Sequence, residues 1–178
     1  MIEIGSHICV YGPPGAGKST LAAHIARRVG VPHIELDAIF WKPDWVESPL
    51  EEFRANVAAA LDKCPDGWVC DGNYSRVRDL ILPLADTIVW ICPPFPVAFW
   101  RMLKRTTARC WDGKMLWGTN RETWRLNFFS RDSIILYQVT HWRVYRERGK
   151  SLEEISHEAP IFRLRSPKDI EAFLNKLG

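Results

Sequence analysis

No run of 18 or more apolar residues occurs, so no segment is expected to cross a bilayer as a helix. The opening segment, MIEIGSHICVYG, lacks a basic stretch and passes straight into a strand-like run, so no signal peptide is expected. There is no internal repeat, no low-complexity tract and no long linker. CxxC pairs and Cys/His zinc spacings are also missing, which excludes a structural zinc site. The five cysteines, Cys9, Cys64, Cys70, Cys92 and Cys110, are odd in number. Cys9, Cys70 and Cys92 lie in apolar runs and read as small buried hydrophobes of a reduced, cytoplasmic protein.

A strong net charge is lacking too, at +3 for 178 residues. The balance is uneven along the chain, however. Residues 1–100 hold 8 basic and 12 acidic side chains, whereas residues 101–150 hold 12 and 4. The basic stretch points either to an anionic partner or to a solvated helical face. Hydrophobic residues are 47% and charged residues 25%, which is ordinary for a globular chain and excludes a disordered one. The length suits one domain.

What is present alternates strand and helix. Strand candidates are His7–Tyr11, His33–Leu36, Trp68–Cys70, Thr87–Cys92 and Ile161–Leu164. Helical spacing covers 18–29, 50–63, 75–83, 96–109 and 119–148, and Ser166-Pro167 reads as a cap opening a last helix over 167–177. Ser130 to Ser133 is a candidate break in the 119–148 helix. This alternation predicts an α/β fold with a doubly wound parallel sheet.

The segment Gly12-Pro13-Pro14-Gly15-Ala16-Gly17-Lys18-Ser19-Thr20 fits GxxxxGK[ST] between a strand and a helix. Its glycines let backbone N–H groups turn inward around a phosphate chain, and the following helix presents its positive end to the same anion. Lys18 suits the β and γ phosphates, and Ser19 suits Mg²⁺. Asp71 ends a strand, where a carboxylate supports the metal, or else shapes a turn before Gly72. Asp37 ends another strand and is placed to orient an acceptor hydroxyl and take its proton, or to cap a helix. His33 is expected to pack at the strand entry. Arg101, Arg105 and Arg109 share one helix face, and Arg121 and Arg125 repeat that spacing beyond the Asp112-Gly113 turn. Their guanidinium groups suit a transferring phosphoryl group, or else keep the helix soluble. Among nine tryptophans, Trp41 and Trp45 either stack on an acceptor ring or hold their loop to the core.

GPPGAGKST, HIELDAIFW, WVCDGNYSR and WRMLKRTTAR, spaced along one small domain, resemble the adenylate-kinase-like P-loop kinases. LDAIFW and DGNYS resemble more narrowly the bacterial subgroup labelled topology modulation protein, or FlaR-like. The resemblance implies a P-loop NTPase fold of three layers, α/β/α. Its five-stranded parallel sheet has the order 2-3-1-4-5, with an Arg-rich helical lid over 101–149. It implies ATP and Mg²⁺ as cofactors, with Gly12 to Thr20 on the phosphates, Asp71 on the metal, Asp37 on the substrate, and Arg105 and Arg109 near the lid arginines. Adenylate kinases carry a DGFPR segment whose Arg grips the AMP phosphate, whereas here Arg76 stands one place later. The expected activity is an ATP-dependent small-molecule kinase with Lys18, Asp37, Arg105 and Arg109 as catalytic residues. Trp41, Asn73, Tyr74, Arg76, Arg121 and Arg125 are the candidates for the acceptor. A regulatory nucleotide switch or ATPase, and a nucleic-acid-binding polynucleotide 5′-hydroxyl kinase, are the rival readings. No membrane partner is expected, and the chain is expected as a monomer or homodimer.

Overall fold

The computed structural model describes residues 4–130, 133–155 and 159–177. Five strands form a parallel sheet: β1 (His7–Tyr11), β2 (His33–Glu35), β3 (Trp68–Asp71), β4 (Thr87–Ile91) and β5 (Ile161–Leu164). Their order is β2-β3-β1-β4-β5, as the resemblance implied. Cys9 pairs with Cys70 and Val10 with Asp71 across β1 and β3, while Val10 faces Val89 on β4.

Side chains alternate between the two faces of the sheet, and both faces are covered. Ile8, Val10, Val69, Val89 and Ile91 meet Leu21, Ala22 and Ile25 of helix α1 (Lys18–Val29) on one side. Cys9, Tyr11, Cys70, Ile88 and Trp90 meet the other helical layer. That layer holds α2 (Leu36–Phe40), α3 (Leu50–Asp62) and α4 (Arg78–Ile81), through Phe40, Phe53, Val57 and Ile81. The sheet is therefore the middle of three layers, and its strands end together along one edge.

The chain from the fourth strand onward departs in detail from the sequence reading. Helix α5 runs Phe95–Asp112 and stops at Gly113, whose φ of 58 is left-handed. The 119–148 helix is two helices, α6 (Trp124–Phe129) and α7 (Ile134–Ile155). Thr123 caps α6 by accepting from Leu126 N at 3.3 Å. Ser133 starts α7, its Oγ donating to the Asn127 carbonyl and accepting from Ile135 N. The expected break is thus placed at Ser133, while Arg131 and Asp132 lie outside the described residues. The last helix, α8 (Pro167–Leu174), opens on a reciprocal cap between Ser166 and Asp169, as its Ser-Pro start predicts. The helix expected over 75–83 is only one α turn, α4, flanked by 3₁₀ turns.

Two small hairpins went unread in the sequence: Trp41–Lys42 with Val46–Glu47, and Met115–Leu116 with Asn120–Arg121. Asn120, buried, joins them. Its Oδ1 accepts from Trp45 N at 2.8 Å and its Nδ2 donates to the Lys42 carbonyl at 3.0 Å.

Candidate active site

The phosphate-binding loop leaves β1 at Tyr11 and enters α1 at Lys18. Gly15 and Gly17 hold φ of 73 and 97, conformations that L side chains rarely adopt. At Gly15 the space is closed as well. A Cβ there would lie 2.2 Å from the Ala98 carbonyl and 2.8 Å from Met102 Cβ, both on α5. The loop is therefore tucked under α5. From above it also meets α7. Gln138, fully buried, donates from Nε2 to the Pro14 carbonyl at 2.8 Å. Within the loop Ala16 N donates to the Pro13 carbonyl and Lys18 Nζ to the same oxygen, both at 3.2 Å. Thr20 is exposed at the first turn of α1.

Ser19 and Asp71 come together, with Ser19 Oγ donating to Asp71 Oδ2 at 2.6 Å. Asp71 is 3% exposed, and its other oxygen lies 2.9 Å from His33 Nε2. His33 is thus more than a packing residue at the strand entry: it braces the Asp71 carboxylate. A hydroxyl and a braced carboxylate beside the loop make an oxygen donor pair that suits Mg²⁺, a hard cation usually held by one or two protein groups plus phosphates and water.

Asp37 lies in the first turn of α2, where Glu35 is the cap residue, so its side chain is free of capping. Tyr74 donates to Asp37 Oδ1 at 2.6 Å. Burial first, and the adjacent Asp37 next, push the Tyr74 phenol far above its ordinary value, so it stays a donor. Lys18 feels Asp37, Asp71 and Arg105 together. Desolvation lowers the Lys18 ammonium from its ordinary value, while the two carboxylates pull it back up. Arg105 is exposed on α5. Its pKa is lowered, first by desolvation and then by Arg109. Glu35 sits beside Asp37 and Asp71, burial pushes its carboxyl up, and the Trp117 indole reaches toward it. Nothing in the local sequence around Glu35 or Trp117 signals this meeting, which joins the sheet edge to the second hairpin.

Several expected acceptor residues do other work. Asn73 Nδ2 donates to the Gly12 carbonyl at 2.6 Å, and Asn73 Oδ1 accepts from Gly12 N at 3.3 Å. Both ends of its amide hold the phosphate loop, so it is not free for an acceptor. Arg76 is more than half exposed and pairs with Glu47 at 3.6 Å. Arg109 pairs with buried Glu122 at 2.8 Å, and Glu122 also accepts from Asn127. Arg109 thus ties α5 to the chain just after the second hairpin. The Arg121 side chain lies over Gly113, and its carbonyl accepts from the Trp45 indole at 3.0 Å. Arg125 is exposed in a shallow groove with Thr123, Leu126 and Ser130, to which neither the phosphate loop nor Asp37 contributes. Arg101 is exposed on α5. The sheet edge therefore gathers Lys18, Ser19, Asp37, Asp71, Tyr74 and Arg105, and leaves Arg76 and Arg125 outside.

Known proteins fit this arrangement. Over residues 8–65, less than half of the chain, the sequence matches the model for the ATPase family associated with various cellular activities (AAA). That span begins in β1 and includes the phosphate loop. A gluconokinase structure from Sinorhizobium meliloti 1021 is similar over 97% of this chain and 91% of that one, with a TM-score of 0.56 at 19% identity. The chain has the P-loop kinase fold. Adenylate kinases are similar in sequence. One from Desulfotalea psychrophila (strain LSv54 / DSM 12343) is 28% identical over 107 residues, covering 48% of this chain and 45% of that protein. One from Symbiobacterium thermophilum is 37% identical over 73 residues, covering 41% and 32%. The match thus spans less than half the length of these relatives. The likeness to the gluconokinase establishes the fold of this chain, and the likeness to the adenylate kinases is confined to part of each protein. No helix among the described residues is long and apolar enough to cross a membrane.

Proposed function

We propose that the protein is an Mg²⁺-dependent kinase that moves the γ-phosphoryl group of ATP to a hydroxyl of a small molecule. The observation that carries this reading is the meeting of a phosphate loop and a free carboxylate. Asp37 stands close enough to Lys18 and Arg105 to favour the charged form of each, and it needs no such position in a plain nucleotide switch. The narrower likeness to the topology-modulation subgroup rests on LDAIFW and DGNYS, and it names no acceptor.

The chain's own groups divide the work as follows. Backbone N–H groups of Gly15, Gly17, Lys18, Ser19 and Thr20, at the α1 N-terminus, would hold the phosphates, and Lys18 would meet the β and γ oxygens. Ser19 and Asp71 would hold Mg²⁺, with Thr20 at the same helix start. The ion, when bound, supplies charge neutralisation across the β and γ phosphates. Tyr74 fixes Asp37 so that its second oxygen faces the acceptor. The acceptor oxygen bonds to the γ phosphorus as the bond to the ADP oxygen breaks, and the hydroxyl proton passes to Asp37. Arg105 meets the charge spread over the transferring group. The segment 101–149, resting on the loop through Met102 and Gln138, acts as the lid that excludes water.

Two variants test this. Asp37→Asn keeps the Tyr74 contact in shape but removes the proton acceptor, so kcat for acceptor phosphorylation is expected to fall by about 10²-fold or more, with ATP affinity near wild type. Lys18→Ala is expected to remove tight ATP binding. Equal kcat in Asp37→Asn would remove Asp37 from the chemistry.

A further inference from the structure

We infer that the acceptor is an uncharged, hydroxyl-bearing ring compound, a sugar or a nucleoside, and that a monophosphorylated acceptor is disfavoured. The inference rests on the kinase reading above and names the substrate class of that same crevice.

Two independent features carry it. The first is how charge is committed. Lys18 and Arg105 are assigned above to the ATP phosphates, and four further cations are held by carboxylates: Lys42 by Glu52 at 2.6 Å, Arg54 by Asp79 at 2.7 Å, Arg76 by Glu47 and Arg109 by Glu122. Asp37 and Glu35 take part in no ion pair among the described residues; Glu35 pairs with Asp71 across β2 and β3, and Asp37 lies two residues further on in the first turn of α2. A phosphate on the acceptor would meet two unpaired carboxylates, while the side chain expected to grip it, Arg76, is turned away. A hydroxyl suits them, because a carboxylate only accepts hydrogen bonds and a hydroxyl donates one.

The second feature is an aromatic arc whose two ends are those same carboxylates. From Asp37 it runs to Tyr74 by hydrogen bond, then to Phe40 with ring centroids 4.7 Å apart. Phe40 meets Trp41 at 5.0 Å, Trp41 meets Trp45 at 5.7 Å, and Trp45 meets Trp117 at 6.0 Å. Trp117 returns to Glu35. Trp41, Trp45 and Trp117 are only half-buried, so part of each indole remains for a ligand. Trp45 and Trp117 also hold φ of 60 and 50, which bulky residues rarely adopt. The buried Asn120 amide keeps Trp45 there. Indole faces and carboxylates together recognise a ring with an apolar face and hydroxyl edges. The transfer step is unchanged: the ring hydroxyl gains the γ-phosphoryl group, ADP leaves, and the proton goes to Asp37.

The full chain with Mg·ATP is offered matched pairs: a nucleoside and its 5′-monophosphate, and a hexose and its phosphate. Tryptophan fluorescence reads binding, and mass spectrometry of the acceptor reads transfer. The neutral member of at least one pair is expected to bind and be phosphorylated at least 10-fold better than its phosphate. Glu35→Gln is expected to raise the KM for that acceptor about 10-fold, leaving the KM for ATP unchanged. A preference for the phosphorylated members, or binding of no neutral compound, overturns the inference. A neutral compound bound without transfer supports the acceptor class and overturns the kinase reading instead. The sugar and nucleoside arms separate the two sources of the same chemistry.

Discussion

Asn73→Ala separates a clamp on the phosphate loop from a ligand of the acceptor. The amide makes two hydrogen bonds to one residue, donating to the Gly12 carbonyl at 2.6 Å and accepting from Gly12 N at 3.3 Å. Gly12 is itself tightly placed, because a Cβ there would lie 2.4 Å from the Ile91 carbonyl. Each bond contributes about 1 kcal/mol net, so truncation removes about 2 kcal/mol of order from the loop. Expressed in ATP binding, that is a Kd about 30-fold weaker. Expressed in stability, it is a Tm lower by roughly 4–8 °C for a chain of this size. Calorimetric titration with Mg·ATP and a thermal melt read both, and steady-state kinetics reads the acceptor KM. The clamp leaves the acceptor KM near wild type. A raised acceptor KM with unchanged ATP affinity and Tm would refute the reassignment and return Asn73 to the acceptor.

His33→Ala leaves one oxygen of the buried Asp71 carboxylate without its partner, so the Mg²⁺ needed for half-maximal activity is expected to rise about 10-fold; an unchanged Mg²⁺ titration contradicts the bracing role. Gly15→Ala drives a methyl into the Ala98 carbonyl at a left-handed φ, and loss of Mg·ATP binding is expected, checked by titration alongside a folded circular-dichroism signal. Alkaline pH should destabilise the fold. Burial pushes the Cys9 thiol up to about 12 from an ordinary value near 9, and Cys70 and Tyr11 move the same way. Their folded pKa values exceed the unfolded ones, so this contribution is complete below about pH 9 and is lost as pH rises toward 12. Tm measured from pH 8 to 11 is expected to fall, less steeply in Cys9→Ala; a flat profile counts against it.

Much of the fold was legible because short-range pattern carries it. Short β-prone runs of three to six residues marked all five strands, and GPPGAGKST marked the phosphate loop with its flanking strand and helix. Asp37 and Asp71 stood out because each ends or follows a strand, where a parallel sheet gathers its ligand groups. What stayed hidden depends on partners distant in sequence. His33 meets Asp71 across 38 positions, Gln138 meets Pro14 across 124, and Asn120 joins hairpins whose two-residue strands show no periodicity. Arg76 and Arg109 show the converse. Their charge and spacing suited phosphate, yet Glu47 and Glu122 hold them, and nothing in the arginine stripe reveals those partners. Asn73 was noticed through a motif, but its target was visible only once β3 had brought it beside Gly12.

The central claim is phosphoryl transfer at the end of the sheet, and one measurement meets it directly. The purified chain is incubated with Mg·ATP and each neutral acceptor, with ADP formed and acceptor mass followed in the same sample. The account expects ADP release to rise with an acceptor and to match, mole for mole, the acceptor that has gained a phosphoryl group. ADP release that is the same with and without every acceptor, with no acceptor gaining mass, would contradict it.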